Sequence, residues 1–249
     1  MLFNKESRMN IMKKVRMLLS TFFLLSLLGC SSLNEKQAEQ MVNLLEEKYE
    51  EEFVVTHIGQ RYGTATNDTV TPYVHPKENE NLSFKAIMTK DGQLVGDGYI
   101  PVLISDQFND MMKSELEPLG IESETSTFNM KARSAGETDK SITIGEYVEK
   151  YQPAYFSAHM IVKDTGDVKG EQFEQALLKA YEAAQSTTYQ IGIRIIPADE
   201  YDEAAKAYRK LSVVKDSWFS DYDLVDEIDA VADGNGYNFI HHSDPRYQN

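Results

Sequence analysis

Tyr155-Phe156-Ser157-Ala158-His159-Met160-Ile161-Val162-Lys163 is the stretch whose reading decides the fold. Phe156, Ala158, Met160 and Val162 recur at every second position, the period of a strand with one buried face. Downstream, residues 171–185 place Phe173, Leu177, Ala180 and Ala184 on one side of a helix, and Tyr189 to Ile196 is a β-branched run. Strand, helix and strand in that order predict a crossover unit, right-handed and parallel where the two strands share a sheet. Upstream, Thr143-Ile144-Gly145-Glu146 reads as a capping box opening a short helix to Tyr151. After Ile196 the spacing predicts a helix from about Asp199 to Leu211. A last helix is expected over Asp221 to Ala232, burying Leu224, Val225, Ile228 and Val231 and ending at Gly234.

Working back toward the N-terminus, Asn34 is an N-cap for a helix to about Glu51, with Ala38, Met41, Val42, Leu45 and Tyr49 on one face. Strand-like runs follow at Phe53 to Ile58, Thr69 to His75, Leu82 to Thr89 and Gln93 to Ile100. Asp91-Gly92 joins the last two as a tight hairpin, because that pair tolerates positive φ. Pro72 and Pro76 cannot donate to a ladder and mark the second run as an edge strand. A helix from Ser105 carries Phe108, Met111, Met112 and Leu116 and stops at Pro118. Glu124 to Arg133 reads as a further strand, and the polar, small-residue stretch Arg133 to Lys140 marks a boundary. These elements predict an α+β protein: an antiparallel sheet with flanking helices, then a second α/β part containing the strand-helix-strand unit.

Ahead of all this, Lys13, Lys14 and Arg16 precede the apolar run Met17 to Leu28, which ends at Gly29. A basic cluster, a short apolar core and a small residue have the pattern of a secretory signal. The run is too short for a comfortable span, which needs about 20 apolar residues. The continuation Leu27-Leu28-Gly29-Cys30-Ser31-Ser32 resembles the lipobox of bacterial lipoproteins. The resemblance covers residues 1–30 and implies cleavage between Gly29 and Cys30, with a diacylglyceryl group on the Cys30 sulfur holding the chain to membrane lipid. It also implies a lipid-anchored location on the extracytoplasmic face of the cell membrane. Two hydrophobic chains make such anchoring stable where one is marginal. The chain then divides into a cleaved segment 1–29, Cys30 with a short tether to residue 34, an α+β domain over 35–133, a second α/β domain over 141–236, and a C-terminal tail over 237–249.

Cys30 is the only cysteine. Its use as an anchor leaves no thiol for a disulfide, a nucleophile or a zinc site. The chain carries 25 basic and 40 acidic residues, net −15. Removing the five basic residues and Glu6 that precede Cys30 leaves 20 against 39, net −19. Such a field repels nucleic acid and attracts basic partners. None of His57, His75, His159, His241 and His242 stands in a zinc-protease pattern, and no nucleophile elbow or phosphate-cradling glycine loop occurs. The Asp229 to Gly236 segment fails as a calcium loop, since Val231 occupies a ligand position. No catalytic residue, metal or cofactor is therefore assigned.

The strongest remaining anomaly is Trp218, Phe219 and Tyr222 among Asp223, Asp226 and Glu227, aromatic anchors rimmed by acids that suit a basic secreted or membrane protein. Core aromatics beneath a solvated acidic face give the same pattern. The sequence thus points to a non-enzymatic binding or accessory lipoprotein of docking, inhibitory or immunity type. A solute-binding component of a transporter and a cell-envelope hydrolase are the alternatives.

Overall fold

The computed structural model describes residues 35–59, 68–130 and 132–243. Gly29, Cys30 and the apolar run before them lie outside the described residues. No described helix is long and apolar enough to cross a membrane. The fold is α+β.

Helix α1 (residues 35–49) leads into a first, antiparallel sheet built from β1 (Phe53–Ile58), β2 (Thr69–Val70), β3 (Pro72–Pro76), β4 (Phe84–Thr89) and β5 (Leu94–Asp97). β2 and β3 are one strand interrupted at Thr71, both paired to β4, with β1 outside β3 and β5 on the far side of β4. The predicted turn at Asp91-Gly92 is present, with Gly92 at φ +79°. Pro72 and Pro76 do not make an edge strand. They cap the two ends of β3, opposite Ile58 and Phe53, and the central residues supply the ladder between β1 and β4. Placing proline where no ladder donor is required removes its penalty.

The helix expected from Ser105 begins six residues earlier, as α2 (Tyr99–Leu116), and the strand before it stops at Asp97. Pro101 stands in the first turn, where a backbone N–H has no intrahelical acceptor, so it costs the helix nothing. Ile104, Phe108, Met112 and Leu116 form the fully buried stripe of α2. Phe108 meets Phe156 and Tyr189 at 4.6 and 5.2 Å between ring centroids.

The second sheet has the order β10-β9-β8-β7-β6. Its members are β6 (Ser123–Met130), β7 (Tyr155–Lys163), β8 (Tyr189–Ile196), β9 (Asp226–Asp233) and β10 (Gly236–His241). Only β7 and β8 pair in parallel, joined through α4 (Glu174–Ala183), the predicted strand-helix-strand unit. α3 (Ile144–Tyr151) carries the expected capping box: Glu146 N–H donates to Thr143 Oγ1 at 3.3 Å and Thr143 N–H to Glu146 Oε2 at 2.9 Å. One face of this sheet, including Phe156, Met160, Tyr189 and Ile193, joins the α2 and α4 side chains in a buried cluster that runs from Met41 to Ala232. The other face is covered in part by α5 (Tyr201–Tyr208) and the single turn α6 (Asp216–Phe219), over a smaller cluster centred on Ile161 and Ile196.

Two expectations near the C-terminus are corrected. The last helix, Asp221 to Ala232, is instead mostly β9, with Ile228, Ala230 and Ala232 buried on alternate positions. The 237–249 stretch read as a tail supplies β10 through His241, and the two strands join as a hairpin across Gly234-Asn235. Apolar residues at 224, 225, 228 and 231 satisfy a helical period, but 228, 230 and 232 satisfy a strand period, and a sheet edge was there to be paired. Gly170 is required where a short 3-10 turn passes β10, since a Cβ there would overlap the Phe239 ring.

The 132–143 segment is tied down from several directions. Lys48 Nζ donates to the Ala135 carbonyl at 2.8 Å, Gln107 Nε2 donates to the Ile142 carbonyl at 2.9 Å, and Ser134 and Glu137 are buried. Glu137 receives Lys150 Nζ and Tyr151 Oη at 2.6 Å each, and the backbone N–H groups of Thr138 and Asp139. Those bonds, the one from Lys150 foremost, pull its pKa down to about 2.

Candidate functional site

The aromatic-acid constellation picked out by sequence is gathered in one place, around α6 and the start of β9. Phe219 is buried, while Trp218 and Tyr222 are half-buried and packed on the smaller core cluster. Trp218 contacts Tyr222 at 4.7 Å and Tyr208 at 5.3 Å between centroids. The acids divide. Asp226 accepts from Ser243 Oγ at 2.8 Å and pairs with His241 Nδ1 at 3.0 Å. Burial pushes its carboxyl up, and these bonds overcome that and leave it below the usual range. Glu227 pairs with Arg194 Nε at 3.0 Å, and Arg194 also lies over the Phe219 ring. Asp223 stays exposed beside an open hollow of about 480 Å³. The three aromatics therefore form a plug, Asp226 and Glu227 are held by Ser243, His241 and Arg194, and Asp223 is the exposed acid of the three.

Close to it, His159 faces the same side of the sheet, opposite Gly192 on β8. Burial lowers its imidazole pKa, and Nδ1 is buried without a hydrogen-bond partner among the described residues. His241 Nε2 accepts from the Gly170 N–H, so the Nδ1 side carries the proton toward Asp226. Among the described residues, no group of histidines and acids is arranged to hold a metal ion.

A larger concave surface lies elsewhere. A groove of about 590 Å³ runs between α2, β6, the loop leading into β4 and the segment after α5. One wall is the helical stripe Val102, Ser105, Asp106, Asn109, Asp110 and Lys113, the three- and four-residue spacing of a single face. The other is β6 itself, which lines it continuously from Ser123 to Asn129. The two walls are joined by a short chain: Thr127 Oγ1 donates to Asn109 Oδ1 at 2.9 Å and meets Tyr189 Oη at 2.8 Å. Arg209 bonds Glu124 across the third side.

Asp106 is half-buried and makes no hydrogen bond or ion pair among the described residues. Burial, with the charge of Asp110 one turn on, raises its carboxyl pKa. Like charges four residues apart on a helix cost a few tenths of a kcal/mol. The two acids share this helix face with Lys113, which stands at its C-terminal end.

Sequence reasoning missed this groove. The only signal was indirect: Asp106 and Asp110 fall on the α2 face opposite Phe108, where any solvated helix carries charge.

No protein-family model matches the chain, and no curated protein matches it. Among solved structures, the chain is similar to a DUF5037 family protein from Ruminococcus gnavus, with a TM-score of 0.61 at 13% identity, over 81% of this chain and 94% of that one. At that identity the likeness is one of fold.

Proposed function

We propose that this chain is a lipid-anchored bacterial lipoprotein on the extracytoplasmic face of the cell membrane, acting as a non-enzymatic docking or accessory protein for another secreted or membrane protein. The anchor rests on the lipobox at Cys30. The docking role rests on one observation: the larger groove is walled by a strand edge and a polar helix stripe that presents an acid, Asp106, without a partner among the described residues. A net charge of −19 after cleavage adds long-range attraction for basic partners.

Two measurements test the reading. Mass spectrometry of the N-terminal peptide should find Cys30 as the first residue bearing a diacylglyceryl group, and Cys30→Ala should shift the protein from the membrane fraction to the medium. An unlipidated, uncut N-terminus in the wild type would remove the anchor. For docking, a photo-crosslinking side chain placed at Asp110 in living cells should trap a discrete partner, while the same probe at Val225, which is 51% exposed and outside the groove, should not. Equal labelling from both positions would remove the groove as the docking place.

A further inference from the structure

Among the described residues, and with β2 and β3 taken as one interrupted strand, β1, β5, β6 and β10 end the two sheets, and three of them are blunted. The pairing of β1 with β3 shifts register between Val55 and His57. β5 is four residues long, with a register shift opposite Ile87/Met88. β10 is overlaid by the Gly170–Phe173 turn, where Tyr237 Oη donates to the Gly170 carbonyl at 2.5 Å and the Gly170 N–H donates to His241. These are ordinary ways of keeping an edge from pairing with foreign chains.

β6 has none of them. Its eight residues pair with β7 in unbroken register, and its sequence, Ser-Glu-Thr-Ser-Thr-Phe-Asn-Met, contains neither proline nor lysine. Lys163 N–H donates to the Glu122 carbonyl at 3.0 Å, which sets the phase of the ladder. Residues 122, 124, 126 and 128 exchange bonds with β7, so Ser123, Thr125, Thr127 and Asn129 direct their backbone N–H and C=O groups outward. The groove runs along this edge, since residues of both phases from Ser123 to Asn129 line it.

From this juxtaposition we infer that β6 takes an extended segment of a partner protein as a sixth strand of the second sheet, with a lysine or arginine side chain of that segment set against Asp106 and Asp110. Backbone bonds to Thr125 and Asn129 supply affinity without sequence demand, and the acid pair supplies the preference for a basic residue. A seven-residue edge at about 3.4 Å per residue admits a segment of five to seven residues. Charge fixes the occupant's chemistry. Glu124 is bonded to Arg209, Lys85 lies over the Tyr73 ring and Lys113 is exposed at the end of the helix stripe, so Asp106 is the half-buried charge in the groove left without a counter-ion among the described residues. The inference rests on the docking function proposed above and specifies its mode.

The test uses the full chain and pools of short acetylated, amidated peptides that alternate Val, Thr or Tyr with Lys or Arg, or with Glu as control. Amide exchange is read by NMR. In the free protein, Glu124, Ser126 and Phe128 should exchange slowly and Thr125 and Asn129 rapidly. The basic pool should slow Thr125 and Asn129 by about tenfold or more, and the acidic pool should not. Thr125→Pro removes an outward donor while leaving the β7 ladder intact, and should abolish the protection. Asp106→Asn should weaken the basic pool severalfold and leave an uncharged Val/Thr pool unchanged. Three results would overturn the inference: slow exchange at Thr125 and Asn129 in the free protein, which means the chain covers its own edge; no protection from any pool; or wild-type binding by Thr125→Pro. Partner crosslinking from Asp110 that survives in Thr125→Pro would keep the docking function and discard strand addition, whereas loss of all crosslinking in the wild type would discard the docking function itself.

Discussion

Asp97 and Asp106 are nine residues apart, one just before α2 and one on it, and the structure treats them in opposite ways. Asp97 has a side chain 1% exposed, with Lys48 Nζ at 2.8 Å, Tyr49 Oη at 2.7 Å and the Tyr99 N–H at 3.0 Å. The Tyr49 hydroxyl pKa is raised by burial and by that bond to Asp97. Glu137, in the same neighbourhood, is bonded four times over. Asp106 is half-buried with no partner, beside another acid. A fold that satisfies its buried acids so fully on one side of α2 has not done so on the other. Satisfied polar groups fasten the 132–143 segment to α1 and α3, whereas Asp106 borders the groove.

The largest blow to this contrast should come from Asp97→Ala. It leaves Lys48 and Tyr49 without their shared acceptor, and removal of one partner from a buried pair costs about 3–5 kcal/mol. Urea unfolding should show it, and a loss under about 1 kcal/mol would mean the network is decorative.

Glu137→Gln is the next step down. Losing charged hydrogen bonds of this kind costs about 2 kcal/mol. Because the folded-state pKa of Glu137 is depressed to about 2 from 4.5, its contribution is fully present above about pH 5 and disappears as the pH falls through the folded value. The wild type should therefore lose stability between pH 5 and pH 2, and the variant should lose visibly less. Parallel curves would assign the acid sensitivity to other groups.

Trp218→Ala sharpens the comparison from outside it. The ring is half-buried against Tyr208, Phe219 and Tyr222, so about 1–2 kcal/mol is expected, well short of a full core deletion. Peptide-dependent protection of Thr125 should be unchanged, and a loss there would tie the aromatic plug to the groove.

Asp106→Asn has the smallest effect on the free protein, stabilising it by up to about 0.5 kcal/mol through relief of the Asp106–Asp110 repulsion. A destabilisation of more than about 1 kcal/mol would show that Asp106 serves the fold after all.

How far the sequence foretold this can be argued from single elements. Tyr155–Lys163 and Tyr189–Ile196 were readable to the residue, because a period of two with β-branched side chains admits little else. The capping box at Thr143 was equally local. β9 was misread because alanines at 230 and 232 carry a weak apolar signal, while 224, 225, 228 and 231 mimic a helix. The groove was not legible at all. Whether Thr125 faces a neighbouring strand or open space depends on where the chain places four other strands, and nothing within β6 records that.

The parallel pairing of β7 with β8 also governs the order in which the molecule can assemble. The first sheet is made of strands close in sequence, all present once residue 97 has been made. The centre of the second sheet must wait until α4 has been laid down and Ile196 follows it, and its far edge waits for His241. Closing such distant contacts is slow relative to local hairpins. In a chain growing from its N-terminus, β8 is therefore not yet there to cover the edge of β7 when that strand has been made. Once Ile196 is in place, β6 is the open edge of the two.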